Sequence, residues 1–592
     1  MDTMNTAAQS NTPQTAQARP NVPSSFKDGI APKPHQVGST EKLLANGGKI
    51  VLTAPPGSGK TMSAIHGFET LKDRGQAKSA LVLVPSGLRT NFAVDGVEKF
   101  TRSSYQILGG SGESGVSDKV LTVNNAKSGK DYTIVSYEMF LRDPVGIIQR
   151  TGADTLICDE YHKTRNEGTK LFKTLAAVRP AFKNFMGITA SPVNNDVSEL
   201  ASLLSLSEGK RLATPNQFRA AFTQNVGFSV GFSGGRVKEK SLANVPQLIN
   251  TIYPKVDYIT YDQIQGDLVM PKKNVQSVRV PMSQTQWDLY NLALDRLGPE
   301  REQVLRGNPN VTLRDAGLMF ARMAQARQIA NSVGRGIKGY SAEQSAEITP
   351  KARKILDDTV EHLNQDPKHS VVLYSNLVNG GVDVLAAGLR KRGIEPAIFI
   401  GKGAEVDGGR ITSAEREEGL KEYKDGKKRA IILSGAGAEG LDLRNSTAFF
   451  AFDGHFNPER ILQAEARARR LGGQDFRPPE KRVVDVRRYM SVAPTGAEIP
   501  KPVQPERGLF ASLFKPAPPP KPTPPPFTTD EWMYRVAGKK YGKTEQLYNA
   551  LKQPYKYIRK YQATDGSWRY VYPDAQGRAV VSKIPPPSGA PQ

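Results

Sequence analysis

Cysteine is almost absent from this 592-residue chain. The single thiol, Cys158, rules out an internal disulfide and argues against a cysteine-built metal site. It sits in an apolar run, where a small buried hydrophobe is expected rather than a nucleophile. Long hydrophobic runs are missing too, and none approaches the roughly 20 residues that a bilayer-spanning helix needs. The polar stretch Met1–Ser25 lacks the apolar core of a secretory signal. The expectation is therefore a chain that is neither membrane-bound nor secreted, but cytoplasmic or virion-associated. Acidic residues are the third shortage. There are 58 Asp and Glu against 81 Lys and Arg, a formal charge of +23. Such an excess favours a polyanionic partner, nucleic acid first, whether DNA or RNA. The plainer alternative is a basic surface that only keeps the chain soluble.

The length suits several domains rather than one core. Residues 1–27, rich in Ser, Thr, Asn, Gln, Ala and Pro, are expected to be a disordered tail. Residues 28–200 read as a first α/β lobe, because short apolar runs at Lys49–Ala54, Ala80–Pro85, Tyr132–Ser136 and Thr155–Cys158 have the character of buried parallel strands. Residues 201–350 are less regular and read as an insertion and connection, with Gly227–Lys240 as an exposed loop and Leu313–Ser332 as a helix. A second lobe spans 351–490, with strands at Ser370–Ser375, Ala397–Ile400, Ala430–Ser434, Ala448–Ala451 and Val483–Val486. Residues 491–527 carry a run of prolines and read as a semi-rigid linker. Residues 528–592 read as a small basic, aromatic module with its tail. The fold class is α/β, two tandem mainly parallel sheets flanked by helices, with ligand groups at the carboxyl ends of the strands.

The strongest local signal is Ala54-Pro55-Pro56-Gly57-Ser58-Gly59-Lys60-Thr61, between an apolar strand and the helical stretch Met62–Leu71. Glycines let backbone N–H groups approach phosphate oxygens, and the helix N-terminus adds a favourable dipole. Pro56, Gly57, Ser58, Gly59, Lys60 and Thr61 are thus candidate nucleotide-binding residues, with Lys60 reaching the β and γ phosphates of ATP and Thr61 a ligand of Mg²⁺. A glycine-rich strand-to-helix turn is the bland alternative. The apolar strand Thr155–Cys158 ends in Asp159-Glu160-Tyr161-His162. Adjacent carboxylates at a buried strand end are costly unless a metal or a proton transfer uses them. Asp159 is assigned to Mg²⁺ and Glu160 to the attacking water, and a solvated acidic turn is the alternative. His162 is expected to couple this pair to Thr189-Ala190-Ser191-Pro192.

The order of P-loop, Asp-Glu-x-His and Thr-Ala-Ser-Pro resembles superfamily 2 helicases and translocases. Asp159–Asn166 and Thr189–Asn195 are similar to the Swi/Snf-type branch of DNA-dependent ATPases. The resemblance implies two RecA-like lobes. In Pro34-His35-Gln36 it implies that Gln36 reads the adenine edge. Val84-Pro85-Ser86 and Arg89 stand where the family meets the nucleic-acid backbone. In the second lobe, Ser434–Leu443 is similar to the family's fifth motif, which points to Gly440 and Asp442. Gln463–Gly472 resembles the sixth. Gln463, Arg467 and Arg470 fall at i, i+4 and i+7 on one expected helix face. By the resemblance, Arg467 and Arg470 are arginine fingers and Arg469 points elsewhere. Tyr374-Ser375-Asn376, Phe456-Asn457-Pro458, Gln286 with Tyr290, and Arg327-Gln328 resemble further segments of that lobe.

What this implies is ATP hydrolysis coupled to movement on DNA, duplex favoured, without sequence specificity. Strand separation on DNA or RNA is one alternative, and a non-enzymatic or virion-packaged protein retaining the fold is another. A compact basic motor of this kind resembles the DNA-dependent ATPases of large DNA viruses and phages. In 528–592, aromatic and basic residues interleave, as in Trp568-Arg569-Tyr570-Val571-Tyr572, with a turn at Asp565-Gly566. Such a unit fits a small core that docks a protein partner, or direct nucleic-acid contact.

Overall fold

The computed structural model describes residues 22–109, 120–193, 196–230, 236–260, 264, 269–297, 300–306, 323–335, 339–401, 404–406, 409–435, 441–455, 458–470, 472–497, 526–552, 559–562, 568–573 and 579–582. The first lobe holds β1 (Lys49–Thr53), β2 (Ala80–Val84), β3 (Tyr105–Gly109), β4 (Val120–Thr122), β5 (Tyr132–Ser136), β6 (Thr155–Cys158), β7 (Asn184–Thr189) and β10 (Val256–Tyr258). These form one eight-stranded sheet in the order β10-β1-β7-β6-β2-β5-β3-β4. Every pairing in it is parallel. Alternation sends Leu81 and Leu83 into one core layer and Ala80, Val82 and Val84 into the other, which is why β2 has no polar position.

The second lobe repeats the plan. Here β11 (Lys272–Pro281), β12 (Val371–Ser375), β13 (Ala397–Phe399), β16 (Ala430–Ser434), β17 (Ala448–Ala451) and β18 (Val483–Val492) pair in the order β11-β18-β17-β12-β16-β13. All these neighbours are parallel as well. Val371 and Leu373 enter one layer of its core, Val372 and Tyr374 the other. Smaller elements are the hairpin β8 (Thr223–Val230) and β9 (Arg236–Leu242), the pair β14 (Glu405–Val406) and β15 (Gly409–Arg410), and an antiparallel meander β19 (Arg559–Gln562), β20 (Trp568–Pro573) and β21 (Ala579–Ser582).

Several expectations change. Phe26 is buried and Ser24 bonds Asp73 through both its N–H and its hydroxyl, so the chain is tied to the first lobe before residue 28. In the stretch expected as a loop, Gly227–Val230 and Arg236–Lys240 are instead strand residues that pair antiparallel in the β8–β9 hairpin, next to a bulge at Asn225/Gly227, while 231–235 lies outside the described residues. The region 201–350 is divided between the lobes: β10 extends the first sheet and β11 the second. Of the helix expected over Leu313–Ser332, 323–331 is helical and 313–322 lies outside the described residues. β18 runs on to Val492, into the stretch assigned to the linker. The chain after the prolines is not a separate unit throughout. A 24-residue helix, Thr529–Lys552, packs Trp532, Met533 and Val536 into the cluster around Trp287 and Tyr290. Thr528 and Glu531 cap it reciprocally, a Thr-x-x-Glu signal that the neighbouring prolines obscured. The turn at Asp565-Gly566 lies outside the described residues, between the antiparallel partners β19 and β20. Among the described residues no helix is long and apolar enough to cross a membrane.

Candidate active site

Because β1, β7 and β6 are adjacent and parallel, their carboxyl ends bring the P-loop, Thr189 and Asp159 to one edge of the sheet. Gly57 and Gly59 adopt φ of +80° and +81°, the left-handed region that glycine enters without strain. A Cβ at Gly59 would stand 2.7 Å from the Gln36 amide nitrogen. Gln36 is buried: its Nε2 donates to the Gly59 carbonyl at 3.3 Å, and its Oε1 accepts from the Lys33 N–H at 2.8 Å. The adjoining His35 places Nε2 3.0 Å from the Ser58 carbonyl. The buried Ser58 hydroxyl makes no hydrogen bond. Lys60, first residue of the helix Lys60–Asp73, donates to the Pro55 carbonyl at 3.2 Å, and Thr61 follows it, half-buried, in the first turn.

Asp159 and Glu160 close the neighbouring strand. The Asp159 N–H donates to the Leu83 carbonyl at 2.8 Å, and its carboxylate accepts from the Glu160 N–H at 2.9 Å. Glu160 holds φ 49° and ψ 47°, a conformation uncommon outside glycine that a neighbouring structure must enforce. Its carboxylate lies 3.3 Å from His162 Nδ1, which stands 3.1 Å from the Thr189 hydroxyl. That hydroxyl accepts from the Ser191 N–H at 3.1 Å, and the buried Ser191 hydroxyl has no hydrogen-bond partner. A continuous polar path therefore joins Glu160 to the turn after β7.

From the second lobe, Arg467 reaches within 4.0 Å of the Glu160 carboxylate. Its buried Nε makes no hydrogen bond. Arg470 donates to the Leu441 carbonyl at 2.8 Å, and Arg469 turns away to donate to the Pro271 carbonyl at 2.6 Å. The helix carrying Gln463 and Arg467 runs Pro458–Ala468, so Arg470 lies beyond its end instead of on the i+7 face expected for it. Gln463 is half-buried on that helix. Asp442 accepts from the Arg444 guanidinium at 3.1 Å. Gly440 lies outside the described residues, as do Phe456 and Asn457.

The electrostatics follow from burial and from this crossing of charges. Burial, with Arg470 and Arg467 adding to it, pushes the Lys60 ammonium down to about 8 against the pull of Glu160 and Asp159. Burial and the adjacent Glu160 raise Asp159. Burial alone would raise Glu160 as well, but His162, then Lys60 and Arg467, hold it well below the usual carboxylate range. Burial would also raise Asp442, yet Arg444 and Arg470 keep it low. Cys158, fully buried at the end of β6, is pushed up to about 12, which makes it a packing residue.

Other motif residues are committed to structure. Arg89 donates to the Ser86 and Leu108 carbonyls, joining the ends of β2 and β3. Gln286 and Tyr290 are buried, the first donating to the Ile329 carbonyl and the second accepting from the Thr529 N–H. Asp453 escaped sequence reasoning, because it follows an apolar strand with no distinctive neighbour. It gathers Ser375, Asn376 and Asn331 at the ends of β12 and β17.

Two parallel-sheet lobes with a P-loop on one and arginines on the other define a nucleotide-hydrolysing motor class. The SNF2-related domain family matches residues 42–335, and the helicase conserved C-terminal domain matches residues 351–472. The chain belongs to the superfamily 2 helicases and ATPases related to the Swi2/Snf2 branch, and it is an ATP-hydrolysing enzyme of that group. It is 26% identical over 384 residues to L538 of Acanthamoeba polyphaga mimivirus, named as an ATP-dependent RNA helicase, covering 64% of this chain and 78% of that one. It is 23% identical over 461 residues to the ATP-dependent helicase YqhH of Bacillus subtilis (strain 168), covering 76% and 74%. Against the protein CHROMATIN REMODELING 5 of Arabidopsis thaliana it is 24% identical over 473 residues, 77% of this chain but 25% of the relative. Among solved structures, the Sulfolobus solfataricus SWI2/SNF2 ATPase core in complex with dsDNA aligns with a TM-score of 0.36 and 19% identity, covering 79% of this chain and 89% of that one.

Proposed function

We propose that this enzyme couples ATP hydrolysis to translocation on DNA, duplex in preference, without reading sequence. The observation that carries the reading is Arg467 of the second lobe standing 4.0 Å from Glu160 of the first. A cation and a carboxylate facing each other across two lobes are placed to act on one substrate between them. In this reading Lys60 and the P-loop N–H groups hold the phosphates, and Glu160 orients and deprotonates the attacking water. Arg467 and Arg470 stabilise charge on the transferred phosphoryl group. Left-handed glycines and the unbonded Ser58 hydroxyl support that reading, since they suit a backbone that wraps a phosphate chain, and a Cβ at Gly59 would collide with the Gln36 amide beside it. Thr61 and Asp159 are the residues that would hold Mg²⁺, which when bound supplies positive charge beside the phosphates. Gln36 is the base-reading residue, once its amide leaves the Gly59 carbonyl. Gln463, Gly440 and Asp442 complete the second-lobe side.

Duplex DNA as the track is supported by the family and by the net charge of +23, and phosphate contacts of this kind give strong salt dependence. Strand separation and RNA remain the competing reading, favoured by the name that L538 carries. A protein partner for the meander of β19–β21, and a cytoplasmic or virion location, belong to the same proposal. ATP turnover measured in parallel with no polymer, single-stranded DNA, duplex DNA and RNA, together with displacement of a third strand from a triplex, tests it. Duplex-stimulated turnover with triplex displacement is expected. Stimulation by RNA alone, or unwinding without triplex displacement, rejects it.

A further inference from the structure

The helix Thr529–Lys552 touches both lobes with unequal strength. At 1.5 Å per residue its 24 residues extend about 36 Å. Its start is fixed in the second lobe. Lys351 Nζ, fully buried, lies 2.5 Å from the Asp530 carboxylate and 2.7 Å from Asn331. Asp530 also accepts from the Ser491 N–H at 2.9 Å, and Trp532 is fully buried. Its far end reaches the first lobe, where Leu547 enters the core. There the Tyr548 ring stacks on Tyr258, with centroids 5.8 Å apart and planes at 19°, and its hydroxyl donates to the Val193 carbonyl at 3.0 Å.

Both partners of Tyr548 adjoin the hydrolytic site. Val193 is buried in the turn after β7, four residues beyond Thr189, the last residue of β7, which with Ser191 ends the path from Glu160 through His162. Tyr258 lies opposite Thr53, the last residue of the strand that feeds the P-loop. One side chain, carried on a helix rooted in the second lobe, therefore bears on the two segments whose geometry decides where Glu160 and Lys60 stand.

We propose that Tyr548 is a positioning residue for ATP hydrolysis: it holds the Val193 carbonyl, and with it the turn that orients His162 and Glu160. The inference rests on the reading of Glu160 as the hydrolytic base. It adds a link from the second lobe to that base which does not pass through the arginines. A positional error at a catalytic base lowers the chemical step and leaves nucleotide binding in place.

The test uses the full chain with saturating duplex DNA, comparing wild type, Tyr548→Phe and Lys60→Ala. Tyr548→Phe keeps the ring on Tyr258 and removes only the hydroxyl. Losing that one bond is expected to lower kcat about fivefold, with KM for ATP within about twofold and the melting temperature unchanged. A wild-type kcat in the variant, or a changed KM at constant kcat, overturns the proposal. So does a loss of rate that tracks a lowered melting temperature, since it assigns the contact to stability alone. Wild-type turnover no higher than that of Lys60→Ala is a different result: it overturns the reading of the site itself, and this proposal with it.

Discussion

In the first lobe the site is fixed by backbone. Strand ends place Asp159 and Thr189, left-handed glycines shape the P-loop, and a single enforced conformation aims Glu160. In the second lobe the arginines sit at and just past a helix end, and they meet the site only through the arrangement of the two lobes. On the proposed reading, the contrast makes one half a device for binding and the other a device for timing. A phosphate cradle is useful when always formed. Charge stabilisation for phosphoryl transfer does most when it arrives with closure.

The sharpest way to break the comparison is within the first lobe. Glu160→Gln should lower ATP turnover by about a thousandfold or more while ATP binding and the melting temperature persist, since only the base is lost. Turnover assays beside nucleotide binding check this, and wild-type turnover in a folded variant rejects the assignment. The next largest effect concerns how the long helix is rooted in the second lobe. Lys351→Met leaves the Asp530 carboxylate buried without its cation, at a cost of about 3–5 kcal/mol in urea unfolding. Adding Asp530→Leu should recover part of that loss. Unchanged unfolding in the single variant would show that the pair contributes nothing.

A smaller effect sharpens the account of the cradle. Gly59→Ala forces a side chain into φ +81° and against Gln36, so ATP affinity should fall about tenfold, the equivalent of 1–2 kcal/mol of backbone strain. The most gradual effect is on the second lobe in acid. Burial, and then His369, Arg487, Arg477 and Arg429, lower His362 from 6.5 to about 3. Between those values the unfolded chain takes up a proton that the folded lobe refuses. Stability should therefore fall as pH drops through that window, by at most about 1.4 kcal/mol per pH unit. His362→Gln should flatten the dependence, and identical pH profiles for variant and wild type would contradict it.

Legibility in the sequence follows the same division. The strands β1, β2, β5 and β6 of the first sheet and most of the second stood out because burial on two faces demands continuous apolar runs, as in Ala80–Val84 and Ala430–Ser434, whereas β3, β4 and β7 did not stand out. The P-loop and the Asp159-Glu160 pair were visible because their chemistry is local: glycines, a lysine and two carboxylates at strand ends. β11 escaped notice because it is an exposed edge strand with alternating polar residues, and β10 because three residues give no pattern. The hairpin β8–β9 was hidden by glycine and charge that suit a loop equally well. Arg470 was legible as a cation but not in its placement, since the helix stops at Ala468. Asp453, Lys351 with Asp530, and Tyr548 with Val193 depend on partners between 20 and 355 positions away, which no local pattern can announce.

The central claim is that cations from opposite lobes act on one phosphate chain, the first-lobe lysine by holding it and the second-lobe arginine by stabilising its transfer. Arg467→Ala, measured for ATP affinity and for duplex-stimulated turnover on the same preparation, tests it most directly. The account predicts affinity within a few-fold of wild type and turnover lowered by about three orders of magnitude or more. Turnover close to wild type, with ATP bound as before, would contradict it.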